Sequence, residues 1–163
     1  MDAAQRSTES TLRTDPEFFR LLSNSYSRLL GKPLVPEHVP ADDAPRWLYE
    51  SAPFGLLAHN TNADPIFVYG NLTAQKLFEY DWDELTALPS RLSAQAPERD
   101  ERQAFLEQVE RDGFIAAYRG MRVSKSGKRF WIDNVVVWQL HNDAGVLCGQ
   151  AALIPSTSAH APR

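Results

Sequence analysis

The stretch KRFWIDNVVVWQL (128–140) constrains this chain more than any other. Under strict two-residue alternation, one face carries Phe130, Ile132, Asn134, Val136 and Trp138. The other carries Trp131, Asp133, Val135 and Val137. Both faces are largely apolar, whereas a half-solvated antiparallel strand alternates apolar and polar residues. The strand must therefore be covered on both sides. One cover is expected from DPEFFRLLSNSYSRLLGKPL, where Phe18, Leu22, Tyr26 and Leu29 recur at helical spacing. Asp15 or Thr14 can cap this helix, and Gly31 and Pro33 stop it.

The remaining segments supply the rest of a small sheet. PFGLLAHNT gives a first strand and PIFVYGN (65–71) a second, with the turn string 60–65 between them. LTAQKLFEY (72–80) is a helix opened by Asn71. Asp81 and Glu84 have capping-box spacing over DWDELTAL. A polar helix at 97–113 precedes FIAAYRGMRVSKSG (114–127), the strand 128–140 and GVLCGQAALI (145–154). Ser126-Gly127 and 142–145 are hairpin turn signals. The expected fold is α+β: a five-stranded antiparallel sheet with short helices on one face and the amphipathic N-terminal helix on the other. The expected organisation is a disordered stretch at 1–13, a single domain at 14–154 (helical extension 14–52, core 53–154) and a loose tail at 155–163.

Composition narrows the class. With 163 residues and a net charge of −4, the chain has no basic footprint for nucleic acid. A single cysteine, Cys148, excludes an internal disulfide and a multi-cysteine zinc site. The sequence has neither a membrane-length apolar run nor a secretory signal, so a cytoplasmic location is the expectation.

The order of elements resembles the PAS sensor fold. The features that carry this are Asn71 at a strand end, Leu77-Phe78, Trp82, Glu84-Leu85, Gly113-Phe114, Ser126-Gly127 before Phe130-Trp131, and Gly145 with Gly149. The strings LLAHNTNADPIFVYGNLTAQKLFEYDWDELTALPSRLSA, GFIAAYRG and GQAA are similar more specifically to the MEKHLA domain, a PAS-related family, over roughly residues 15–154. That family includes stand-alone bacterial and algal proteins. Its relatives lie at the C-terminus of plant class III homeodomain–leucine zipper factors, where the domain is thought to receive signals or control dimerisation. This chain has no homeodomain or zipper segment, so DNA binding is not carried over. The resemblance implies a non-enzymatic module that senses a ligand or a partner and passes its signal to a separate output protein.

Specific chemistries find little support. Light-sensing PAS relatives place a reactive cysteine in an Asn-Cys-Arg segment, and the corresponding stretch here, 89–93, has none. Covalent flavin is therefore disfavoured, and so is haem, because no histidine lies in the helix at 97–112. His59, at a strand end, is the least poor haem ligand and is better explained as serving the following turn. The acidic clusters 81–84 and 98–101 are explained by helix capping and the helix dipole without a metal. Ser90 and Ser93 lack a nucleophile-elbow context. Gly113, Gly120 and Gly127 read as a helix stop, a strand glycine and a turn rather than a phosphate loop. No catalytic residue is assigned.

Two readings remain. In the first, a cup between sheet and helices holds a small molecule against Phe67, Tyr69, Phe78, Leu88, Leu92, Tyr118, Ile132, Asn134 and Val136. Asn134 is the polar group expected to point inward and to need a partner. In the second, the same residues fill the cup, and the chain is a ligand-free interaction or dimerisation module. A homodimer would use Phe18, Phe19, Leu22, Tyr26, Trp131, Val135 and Val137. Asn60, Asp64, Asn71, Asp81 and Glu84 are expected to serve turns and caps, and Arg91 to pin the segment around it through nearby acidic groups.

Overall fold

The computed structural model describes residues 12–94 and 99–159. Helix α1 (Pro16–Leu30) begins where Asp15 accepts a hydrogen bond from the Phe18 amide at 2.8 Å, and ends at Gly31 in the left-handed conformation. A 3₁₀ turn (Ala41–Asp43) leads into α2 (Ala44–Glu50). Strands β1 (Gly55–His59) and β2 (Phe67–Gly70) form a hairpin, followed by α3 (Leu72–Phe78) and α4 (Trp82–Leu85). A second 3₁₀ turn (Ser90–Ser93) precedes α5 (Arg99–Asp112). Strands β3 (Phe114–Val123), β4 (Arg129–His141) and β5 (Leu147–Ile154) complete the meander, and β6 (Ser156–Ala159) follows.

The strands form one antiparallel sheet in the order β2-β1-β5-β4-β3, with β6 also on β4. Residues 156–159, expected as part of a loose tail, are thus a sixth strand. Pro155 interrupts the strand, yet β5 and β6 pair with β4 in one continuous register, from Leu153 opposite Val136 to Ser156 opposite Asp133. The N-terminal expectation also needs correction. Leu12 packs on the α1 side of the core, and Arg13 lies over Trp82. The other residues read as disordered, 1–11 and 160–163, lie outside the described residues.

Two cores sit back to back across the sheet. On one side, α1 and α2 cover Leu56, Ala58, Tyr69, Trp138, Leu140 and Ala151. Tyr26 packs edge-on against Trp138 at 4.8 Å, and the Trp138 indole donates to the Leu22 carbonyl at 3.3 Å. The cover expected from the N-terminal helix is therefore present, within the same chain. On the other side, α3, α4 and α5 enclose the cup core of Leu57, Phe67, Phe78, Leu85, Val109, Phe130, Ile132, Val135 and Val137.

Strict alternation fails in the middle of the sheet. Ile115 pairs with Val137 and Tyr118 with Val135, so β3 carries one extra residue. From Tyr118 to Gly120 the partner runs from Val135 to Ile132, so β4 then carries one extra residue in turn. Ala117 (φ 58°) and Asn134 (φ 55°), one at each bulge, both take the left-handed conformation. The bulge at Asn134 reverses the faces of β4. Phe130 and Ile132 face the cup before it, and Val135 and Val137 face the cup after it. Val136, Trp138 and Leu140 face α1.

Candidate functional site

The cup is built from the polar anchor upward. Asn71 is fully buried, and its side-chain oxygen accepts from Leu56 N and Ala74 N, each at 3.0 Å. Its amide nitrogen donates to the Leu48 and Phe54 carbonyls, also at 3.0 Å. One side chain thus caps α3 and joins it to β1 and to the end of α2. At α4 the capping box is complete: Asp81 accepts from Glu84 N at 2.8 Å, and Glu84 accepts from Asp81 N at 3.0 Å. Glu84 also pairs with Lys125, which lowers the carboxyl's pKa and raises that of the ammonium. Asn60 accepts from Asn62 N and Ile66 N and so closes the β1–β2 turn, while Asp64 pairs with Arg91 at 3.1 Å. The ring Nδ1 of His59 bonds the Asn60 carbonyl at 2.9 Å. Burial lowers the His59 pKa against the opposing pull of that bond.

Five of the nine expected cup residues come together. Phe67, Phe78, Leu88, Tyr118 and Ile132 line the cup core, with Phe78 edge-on to Phe130 at 5.3 Å. The other four do not join them. Tyr69 lies on the α1 side, because β2 is bulged: Ala58 pairs with Tyr69 but His59 pairs with Phe67. The extra residue, Val68, sends Phe67 and Tyr69 to opposite faces. Val136 also lies on the α1 side, and Asn134 is exposed at the bulge with no inward role. Leu92 is 47% exposed on its 3₁₀ turn.

The proposed dimer surface is redistributed in the same way. Leu22 and Tyr26 are buried within their own chain, and Phe18 and Phe19 are half-buried beside them. Val135 and Val137 belong to the cup. Trp131 stays on the outer face, under the Arg119 guanidinium at 3.9 Å. Arg119 also pairs with Asp133 at 2.7 Å, and the Ser158 hydroxyl donates to the other Asp133 oxygen at 2.8 Å. Both hold the Asp133 pKa below its usual value, the Ser158 bond most strongly.

Residues passed over in sequence complete the cup. Phe105 stacks on Tyr118 at 4.8 Å, and Val109 is buried one turn later. Their i, i+4 spacing in an otherwise polar helix was the available signal. These side chains pack into the cup. Two clefts, of about 310 and 350 Å³, lie elsewhere: one against Trp47 and Arg46, the other between Arg28 and the 141–145 hairpin. Among the described residues no cluster of three or more His, Cys, Asp or Glu could hold a metal, and no helix is long and apolar enough to cross a membrane.

A sheet of this order, with helices on one face and an N-terminal helix on the other, has the PAS-like α+β fold. The chain belongs to the MEKHLA domain family, whose family model matches residues 16–159. Solved structures share the fold. The PAS domain of a protein from Colwellia psychrerythraea aligns with a TM-score of 0.58 at 12% identity, over 68% of this chain and 92% of that one. An RNA-binding light-oxygen-voltage receptor aligns with a TM-score of 0.59 at 20% identity, over 74% of this chain and 35% of the receptor. A light-oxygen-voltage domain studied with a flavin analogue aligns with a TM-score of 0.53 at 16% identity, over 69% of this chain and 80% of that one. No curated protein matches the sequence.

Proposed function

We propose that this chain is a non-enzymatic sensory module that receives a small apolar molecule in the cup and reports its presence through α1. One observation carries the reading: β4 is shared by both cores. Val135 and Val137 face the cup, while Val136 and Trp138, their immediate neighbours, face α1. A change in cup packing reaches the helix through adjacent residues of one strand. The wall that yields is α5, which rests on the sheet through Phe105 and Val109. Moving Phe105 aside costs at most about 2 kcal/mol of burial, a loss that an occupant of similar size restores. To signal usefully, the occupant must distinguish the two packings by about 1–3 kcal/mol. A covalently held flavin is not the ligand proposed, because residues 89–93 have no cysteine.

A ligand-free interaction module is the second reading, favoured by the side chains packed into the cup and by the exposed Val146 and Leu147 at the β4–β5 hairpin. Native mass spectrometry of the purified protein separates the two. A retained small molecule, lost in Phe105→Trp, supports the cup reading. Bare protein with concentration-dependent dimers, disrupted by Val146→Asp with Leu147→Asp, supports the second and overturns the first.

A further inference from the structure

Arg13 occupies an unusual position on the α1 side of the molecule. It lies in the turn ahead of α1, and its guanidinium carbon is 5.0 Å from the centre of the Trp82 ring. Trp82 is 6% exposed and stands edge-on to Tyr49 at 5.7 Å and to Tyr69 at 5.8 Å. The two tyrosine rings are 6.2 Å apart. Tyr49 is committed elsewhere, since its hydroxyl accepts from Gln75 Nε2 at 2.9 Å. Two buried polar atoms on residues that touch this indole have no hydrogen-bond partner among the described residues: the Arg13 Nε donor and the Tyr69 hydroxyl. None of the ion pairs among those residues includes Arg13.

A cation held over an indole ring and by no carboxylate among the described residues makes the contact of a cation–π receptor. Buried donors and acceptors are ordinarily paired, so an orphan donor and an orphan hydroxyl on two residues that touch one indole point to an imperfectly matched occupant. We propose that the Tyr49–Tyr69–Trp82 cluster is a binding site for a guanidinium-bearing small molecule, held in this conformation by Arg13 from within the chain. A guanidinium suits it better than an ammonium. It is planar, weakly hydrated and stacks on rings, and its N–H groups can donate to the Tyr69 oxygen that Arg13 leaves unpaired. Displacing Arg13 frees the turn that precedes Asp15, the cap of α1. The site lies on the α1 side of the sheet, so it stands or falls independently of an occupant in the cup.

The test is a titration with methylguanidinium chloride at low-millimolar concentration. The readout is the indole N–H resonance of Trp82, assigned by its loss in Trp82→Phe. Arg13→Ala removes the internal competitor. The resonance should then shift saturably, with half-saturation at least about tenfold below that of the unmodified protein. Butylammonium at the same concentrations should move it far less. If Arg13→Ala does not fold, Arg13→Gln, which keeps the aliphatic stem, replaces it. The proposal is overturned by any of three results: no saturable shift in the folded variant, equal half-saturation with and without Arg13, or loss of the fold in both variants. The last would make Arg13 a support that cannot give up its place.

Discussion

Asn134 decides which side of β4 faces the cup, and substitutions there have opposite signs under the two descriptions of the strand. If β4 alternated strictly, Asn134 would point inward between Ile132 and Val136. Asn134→Val would then remove a buried amide and stabilise the protein, and Asn134→Gly would open a hole. The observed residue is exposed and left-handed, with φ at 55°. A left-handed backbone costs an L-residue about 1–2 kcal/mol, a cost that Asn lessens by local hydrogen bonding and a β-branched residue aggravates. Asn134→Val should therefore destabilise by about 1–2 kcal/mol, with no burial to offset it. Asn134→Gly should lie within about 0.5 kcal/mol of the parent, because relief of strain is balanced by backbone entropy. Ala117→Gly, at the partner bulge with φ at 58°, should be neutral or stabilising by up to about 1 kcal/mol. Urea unfolding followed by tryptophan fluorescence reads these differences. With a slope of about 1–3 kcal/mol/M, the Val variant should lose roughly 0.3–2 M in midpoint at unchanged slope. A Val variant more stable than the parent would refute the paired-bulge account and, with it, the assignment of Val135 and Val137 to the cup.

Three further outcomes follow from the same geometry. Asn71→Ala strands two buried amides and two carbonyls; at about 1–3 kcal/mol for an unsatisfied group, it should cost at least about 3 kcal/mol in urea unfolding. Gly149→Ala places a Cβ 2.3 Å from the His59 carbonyl oxygen on the neighbouring strand, so β1 and β5 must separate locally; faster hydrogen exchange of the β1 amides, absent in Gly145→Ala, checks this. His59 has its pKa lowered by burial, so between that value and 6.5 the unfolded chain binds more protons than the folded one. Stability should rise with pH through that window, be complete above it and fall as pH drops below 6.5; His59→Gln should flatten that part of a melting-temperature profile.

Much of the architecture was legible because it rests on local chemistry. The Asp15 cap, the Asp81–Glu84 box, Asn71 at a helix start and Gly31 at a helix end are short-range signals, and each is found where expected. The doubly apolar strand called for a cover, and α1 supplies it. Legibility failed where the sequence pattern keeps its period but the backbone does not. Nothing in PIFVYGN marks Val68 as the extra residue of β2, and nothing in IDNVVV except a lone Asn marks the change of phase in β4. A tolerance for left-handed φ is the physical meaning of that Asn, whereas the polarity of its amide suggested an inward role. β6 was missed because a four-residue polar strand, exposed along its whole length, has no apolar alternation to announce it.

The bulges also explain why one sheet can serve two cores. A regular β4 would give Phe130, Ile132, Val136 and Trp138 to one side and leave Val135 and Val137 to the other. The large rings of Phe130 and Trp138 would then compete for the same layer. Reversing the phase at Asn134 separates them. Phe130 stays in the cup against Phe78, and Trp138 goes to α1 against Tyr26. Each core thus receives one large aromatic residue and smaller neighbours from β4: Phe130 with Ile132, Val135 and Val137 in the cup, Trp138 with Val136 and Leu140 under α1. Beyond the bulge, ordinary alternation sets Val135, Val136 and Val137 in succession across both cores. Because packed interiors do not deform continuously, a displacement of Val135 or Val137 by a cup occupant must be absorbed at Val136 and Trp138, directly beneath α1. In the proposed reading this stretch of β4 couples cup to helix, and the bulge decides which large ring each core contributes to that path.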